Sequence, residues 1–291
     1  MKTATLCDLP LFRRYFAREP RHLCLYFPGV LFMWRDYFRL AFCEEEETLT
    51  VRLAYDGVTD AYLPPIGRDP NGAMSRLCRR AREEGRPLHL IGLSEEECER
   101  IAAAYPGATL THDRGESDYL YDAAALSTFA GKRYSGQRNH VNRFDRLYPD
   151  HRIERITPAH ADRLSAFLSE FEALHATRPL FAEELTMTRE VLYHYEEYGM
   201  TGVMLTVGDR VAAFACGEIL GDMLAVHIEK ADTRFSGAYQ KIVSAFASTC
   251  EPTLTPLINR EDDMNDEGLR TSKLSYHPLS ILPKWRATIC V

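Results

Sequence analysis

The chain has 291 residues, enough for two domains or one large one. Apolar residues make up 45% and charged residues 26%, which excludes a disordered chain, a fibre and a coiled coil. Lys plus Arg total 35 against 42 Asp plus Glu, a formal charge of -7, so any site for an anion must be a local basic patch on an acidic body. The longest uncharged apolar run, Leu23 to Trp34, has twelve residues and is broken at Pro28-Gly29. A membrane-spanning helix needs about 20, so no such segment is expected. The opening MKTATLCDLPLFRRYF has neither a long apolar core nor a small-residue cleavage site, so no secretory signal is expected. The eight cysteines are scattered without a CxxC pair, which fits reduced thiols in a cytoplasm better than disulfides or a zinc site.

In chain order, 11–16 predicts a short helix. Between 22 and 66, LCLYF, VLFMW, YFRLAFC, TLTVRLAY and DAYLPPIG read as strands separated by Pro-Gly, Glu-rich and Asp-Gly breaks. A helix fits 72–84, with Asn71 as its N-cap and Gly85 just past its end. LHLIG (88–92) is a buried strand, and Ser94-Glu95-Glu96-Glu97 is a capping box opening a helix to 104. ATLTH (108–112) is a strand. A polar stretch follows, to about 150. HRIERI (151–156) begins a second series: helices over 159–175 and about 182–198, two strands joined at Gly208-Asp209, and the strand 223–231. A helix over about 236–250, the strand TLTPLIN, a short helix near 267–276 and a terminal strand pair complete it. The two halves run in a similar order. This implies two α/β units in tandem over 1–115 and 151–291, joined by a basic segment at 116–150.

Three segments carry candidate chemistry. GKRYSGQRNHVNRFDR (131–146) has five basic residues against one acid, among them Arg138, next to Asn139 and His140. This composition suits a phosphate-rich ligand, or else a solvated helix. In HIEKADTRFSGAYQKIVSAFA (227–247), His227 and Glu229 are two apart on a strand and so should share a face. The helix start at Gly237, with Arg234 beside it, offers N–H groups to a phosphate; the plainer reading is that Gly237 only permits close packing. INREDDMNDEGLRTSKLSYHP (258–278) gathers Asn259, Glu261, Arg270, Lys273 and Tyr276 at a strand end and along one helix face. Its acidic run lacks spaced His or Cys partners, so no metal site is expected. No nucleophile elbow, Walker loop or dinucleotide fingerprint is present, which leaves direct transfer or a binding module.

With DYLYDAAALSTF (118–129) ahead of the first, and with LPPIG (63–67), these three segments in this order resemble the bacterial family named for the C-terminal domain of phosphatidylglycerol lysyltransferase, over nearly the whole chain. The resemblance implies an α/β (α+β) architecture of two tandem GNAT-like acyltransferase units, each a mixed, mostly antiparallel sheet flanked by helices. It implies transfer of an aminoacyl group from aminoacyl-tRNA to a hydroxyl or amine acceptor, with no cofactor required. The expected partners are tRNA and an anionic membrane surface, bound peripherally. On this reading Glu229, helped by His227, accepts the acceptor's proton, and Tyr276 or Lys273 protonates the leaving atom. Arg234, Gly237 and Arg270 hold donor phosphate; Arg138, Asn139 and His140 close the site; Asn259 and Glu261 line it. Two alternatives stay open. One is a CoA-dependent GNAT N-acyltransferase acting on a small amine, although Arg234–Tyr239 matches the acyl-CoA phosphate loop only in part. The other is a non-catalytic module that binds tRNA or anionic lipid.

Overall fold

The computed structural model of the chain describes residues 1–55, 57–175 and 181–290. Its first series of elements is β1 (Lys2–Thr3), α1 (Leu9–Arg18), α2 (Pro28–Met33), β2 (Ala41–Glu45), β3 (Thr48–Tyr55), β4 (Val58–Tyr62), β5 (Ile66–Gly67), α3 (Pro70–Glu83), β6 (Leu88–Leu93), α4 (Glu95–Ala104) and β7 (Thr109–His112). The second is β8 (Asp118–Asp122), α5 (Ala123–Thr128), α6 (Ser135–Leu147), β9 (Arg152–Arg155), α7 (Ala161–His175), α8 (Phe181–Tyr193), β10 (Thr201–Val207), β11 (Arg210–Leu220), β12 (Met223–Ala231), α9 (Ala238–Ala247), β13 (Leu257–Asn259), α10 (Glu267–Ser275), β14 (Ser280–Leu282) and β15 (Trp285–Ile289). Among the described residues no helix is long and apolar enough to cross a membrane.

Most elements form where local sequence dictates. Ser94 accepts from the Glu97 N–H while the Glu97 carboxylate accepts from the Ser94 N–H, the expected capping box of α4. Three expectations fail locally. LCLYF folds as a 3-10 turn at Cys24–Tyr26, and most of VLFMW lies in α2 rather than a strand. All six residues of α2 are buried, so it shows no polar face from which a helical period could be read, and Pro28 sits in its first turn. The cap of α3 is Asp69, which accepts the Gly72 N–H at 2.9 Å, and not Asn71. The Asp-Gly break after Tyr55 includes Asp56, outside the described residues.

One sheet runs β1-β2-β3-β4-β6-β15-β7, with β5 beside β3; the other runs β9-β10-β11-β12-β13-β8-β14. The orders correspond place for place. Four antiparallel strands are followed by one that a helical crossover (α3 or α9) delivers parallel to the fourth. The tandem architecture expected from the sequence is therefore present, but its units are not two consecutive halves. The first comprises 1–118, 262–270 and 281–291; the second comprises 119–261 and 271–280. The stretch 119–150 belongs to the second unit as most of β8, α5 and α6, not to a separate linker. The terminal strands β14 and β15 lie in different sheets, where a pair was expected. The sixth place is filled in the first sheet by β15, from the C-terminal end of the chain, and in the second by β8, which precedes that sheet's other strands in sequence. For β15 the physical reason is burial: Ala287 and Ile289 pack with Leu88, Leu90, Leu93 and Cys98 in the first unit's core. A strand's own sequence states which face is apolar and leaves its partner open.

Entry of β15 into the first unit is held by charge. Lys284 Nζ lies 2.8 Å from Asp118 Oδ1 and 2.6 Å from Asp262 Oδ2, and donates to Cys24 Sγ. The Cys24 N–H donates to Asp118 Oδ2 at 2.6 Å. Burial alone would lower the Lys284 pKa, but Asp118, Cys24 and Asp262 hold it well above its ordinary value. Replacing Lys284 with Met leaves these carboxylates without their cation and should destabilise the protein by about 3–5 kcal/mol in urea unfolding at neutral pH.

Candidate active site

In the second unit β12 and β13 pair in parallel only from Met223↔Leu257 to Ala225↔Asn259. Beyond that point β12 continues to Ala231 while β13 ends, so the strands part. On its other side β12 carries a bulge: Cys216 faces Ile228, but Gly217 faces Val226, and His227 is the extra residue. The bulge breaks the alternation that would give His227 and Glu229 a common face. Leu224, Val226 and Glu229 line one small pocket with Leu126, Phe246 and Arg260, just large enough for a water molecule. His227 has other partners.

Arg260, one residue past β13, organises the parting. Its Nη2 donates to Glu229 Oε1 at 2.7 Å, with side-chain exposures of 8% and 15%. Its guanidinium lies 4.5 Å from the Tyr276 ring and 5.6 Å from the Tyr121 ring, while the buried Nη1 has no hydrogen-bond partner among the described residues. Burial opposes the Arg260 charge, yet Glu229 and the tyrosines raise its pKa further. Burial likewise pushes the Tyr276 phenol up, although Arg260 pulls the other way. Lys273 Nζ donates to the Arg260 carbonyl, and Tyr121 Oη donates to the Lys273 carbonyl at 2.8 Å. Glu229, Tyr276 and Lys273 thus gather around Arg260.

His227 is fully buried between Glu218, 3.2 Å from Nε2, and Glu261, 2.7 Å from Nδ1. Burial alone would depress its pKa, but the two carboxylates raise it to about 9, so it is an imidazolium at neutral pH. Glu261 is in the left-handed region at φ 55°, and its N–H donates to the buried Asn259 Oδ1 at 2.6 Å. His227 therefore serves Glu261 and not Glu229.

The remaining predicted residues are placed elsewhere. Arg234 binds Asp232 through Nε at 2.9 Å and Glu170 through Nη2 at 3.2 Å. Gly237 has φ 92°, and a Cβ there would come 2.4 Å from the His140 carbonyl oxygen, so the glycine admits α6 against the start of α9. Arg138 donates to the Phe129 and Gly131 carbonyls beyond the end of α5, while Asn139 and His140 are exposed on α6. Arg270 belongs to the first unit, bidentate on Asp263 at 2.8 and 2.9 Å. Sequence reasoning missed Arg260, Glu218 and Tyr121; only the position of Arg260 inside the INREDD segment could have signalled it. The corresponding parting in the first unit is filled. At Gly92 on β6 a Cβ would come within 3.1 Å of Leu25 and 3.2 Å of Leu63, and Tyr26 Oη donates to the Gly92 carbonyl.

Residues 21–288 match the family described as phosphatidylglycerol lysyltransferase, C-terminal. The chain belongs to that family. This family member is 30% identical to a conserved protein of unknown function from Bacteroides thetaiotaomicron, with a TM-score of 0.92 over 99% of both chains. A putative lysylphosphatidylglycerol synthetase C-terminal domain from Agrobacterium fabrum shares the fold at 14% identity, with a TM-score of 0.71 over 99% of this chain and 93% of that one. FemX does so at 8% identity, with a TM-score of 0.64 over 99% and 96%. The family member thus shares its tandem α/β fold with these proteins. It is also 23% identical to an uncharacterized protein of Mycoplasmoides gallisepticum over 68% of its own length, and spans 64% of that relative.

The His227 relay predicts a pH dependence. The folded-state pKa is raised from 6.5 to about 9, so its contribution is complete below pH 6.5 and lost as pH rises towards 9. Urea unfolding midpoints should fall over that window, by up to about 3 kcal/mol in stability, and His227→Asn should abolish this part of the slope.

Proposed function

We propose that this family member is a cytoplasmic acyltransferase that moves an aminoacyl group from aminoacyl-tRNA to a hydroxyl or amine acceptor. The reading rests on one observation: the parting of β12 and β13 is fitted with a carboxylate, Glu229, held on a buried guanidinium. Donor and acceptor meet there, and catalysis is positioning with proton transfer. Arg260 is a positioning residue. It fixes Glu229 through Oε1 and leaves Oε2 to take the acceptor's proton as the acceptor atom attacks the aminoacyl ester carbonyl. Collapse of the tetrahedral intermediate releases the tRNA hydroxyl oxygen. Tyr276, kept protonated by burial, supplies the proton that oxygen needs, and Lys273 steadies the backbone at Arg260. The family supports an aminoacyl donor. The geometry does little for acyl-CoA, because Arg234 is neutralised by acids and Gly237 faces His140.

The test is transfer from a charged tRNA pool to anionic phospholipid vesicles and to small amines, with acetyl-CoA as a rival donor. Glu229→Gln should lower the rate roughly 10²–10⁴-fold without loss of fold. A fully active E229Q variant, or transfer from acetyl-CoA alone, would overturn the reading.

A further inference from the structure

The inner face of α6 is pinned at four places within the second unit. Gln137 donates to the Ser275 carbonyl at 2.6 Å, Arg138 donates to the Phe129 carbonyl, the His140 carbonyl abuts Gly237, and Asp145 pairs with Lys241 at 2.7 Å. Phe144 is fully buried on that side. With the helix fixed in rotation, its outward stripe is Ser135, Gly136, Asn139, Asn142, Arg143 and Arg146, at helical spacing. The stripe carries no acid, and its apolar residues are the small Gly136 and, at its C-terminal end, Leu147. Among the described residues Arg143 and Arg146 make no ion pair, nor does Lys132 in the preceding turn. In a protein of formal charge -7, this is a concentrated cationic face backed by amide donors.

We propose that this face of α6 docks the phosphate backbone of an RNA. The proposal rests on the aminoacyl-tRNA reading for the kind of polyanion, and on the stripe for its place. Arginine forks and asparagine amides suit phosphate and sugar oxygens, and Ser135 and Gly136 let a backbone come close. An anionic bilayer fits less well, because an interfacial helix binds through an apolar face, and here the apolar face of α6 is buried in the protein.

The experiment measures binding of fluorescently labelled, uncharged total tRNA by anisotropy between 50 and 200 mM salt. Removing two phosphate contacts with R143A/R146A should weaken binding at least about tenfold at 50 mM and reduce the slope of log K on log[salt] by about 1.5. The paired control R79A/R82A removes two exposed charges from α3 in the first unit and should change neither. Both variants should keep the wild-type melting temperature, since the replaced side chains are exposed. An R143A/R146A variant with unchanged affinity and slope would overturn the proposal. So would wild-type protein that binds anionic vesicles but no tRNA. Transfer activity with an unaffected KM for charged tRNA in R143A/R146A would sink the docking face while leaving the transferase reading intact.

Discussion

A carboxylate taken out of water must meet a cation, and the run Glu261-Asp262-Asp263 meets a different one at each step. Glu261 takes His227 in the second unit. Asp262 takes Lys284, and Asp263 takes Arg270 and Arg114, in the first. Three consecutive acids are thereby each tied to a cation of their own unit, which restrains the backbone that leaves β13. That backbone is strained, with left-handed φ at Glu261, Met264 and Asn265. A non-glycine residue in that region persists only where its surroundings over-determine it, and four ion pairs do so. Arg260, immediately before the run, has its direction set by the same clamp.

The duplication of strand order sharpens the difference between the two partings. Each sheet joins its fourth and fifth strands in parallel for only two or three residues, so each leaves a wedge beyond the ladder. In the first unit the wedge holds Leu25 and Leu63, and the Tyr26 hydroxyl binds the Gly92 carbonyl. In the second, the corresponding space holds a carboxylate, a guanidinium and tyrosines. The fold supplies the wedge twice and fills it with apolar side chains in one unit and with charged and aromatic ones in the other.

Strand and helix types were legible where caps, turns or a β-rich apolar run mark the element. Capping signals and period placed α4, α7, β10, β11 and β12 within a few residues. The wholly buried α2 was not legible, because a helix without a polar side shows no period. The exchange of β8 and β15 was illegible for another reason, since an open sheet edge far along the chain chooses the partner. In the candidate site, Glu229, Lys273 and Tyr276 were found together, but the one-face pairing of His227 with Glu229 fails on a single extra residue in β12. A bulge of that kind leaves no local mark. Arg234 and Arg270 read as free cations only because their acids, Glu170 and Asp263, become neighbours through folding.

A buried ion pair contributes little net stability, because the desolvation of two charges offsets most of their attraction. Arg260 and Glu229 are therefore poorly explained as struts. Leu126, Leu224, Val226, Val243 and Phe246 surround them, and aliphatic residues of similar volume would pack that space at no electrostatic cost. What the pair does provide is a carboxylate of fixed orientation at a wedge that the second unit fills with polar and aromatic side chains rather than with leucines. Buried tyrosines beneath the guanidinium keep it charged and aligned without competing for Glu229. A charged pair where a hydrophobic one would serve stability as well makes Arg260 and Glu229 the candidate site on which the proposed transfer is built.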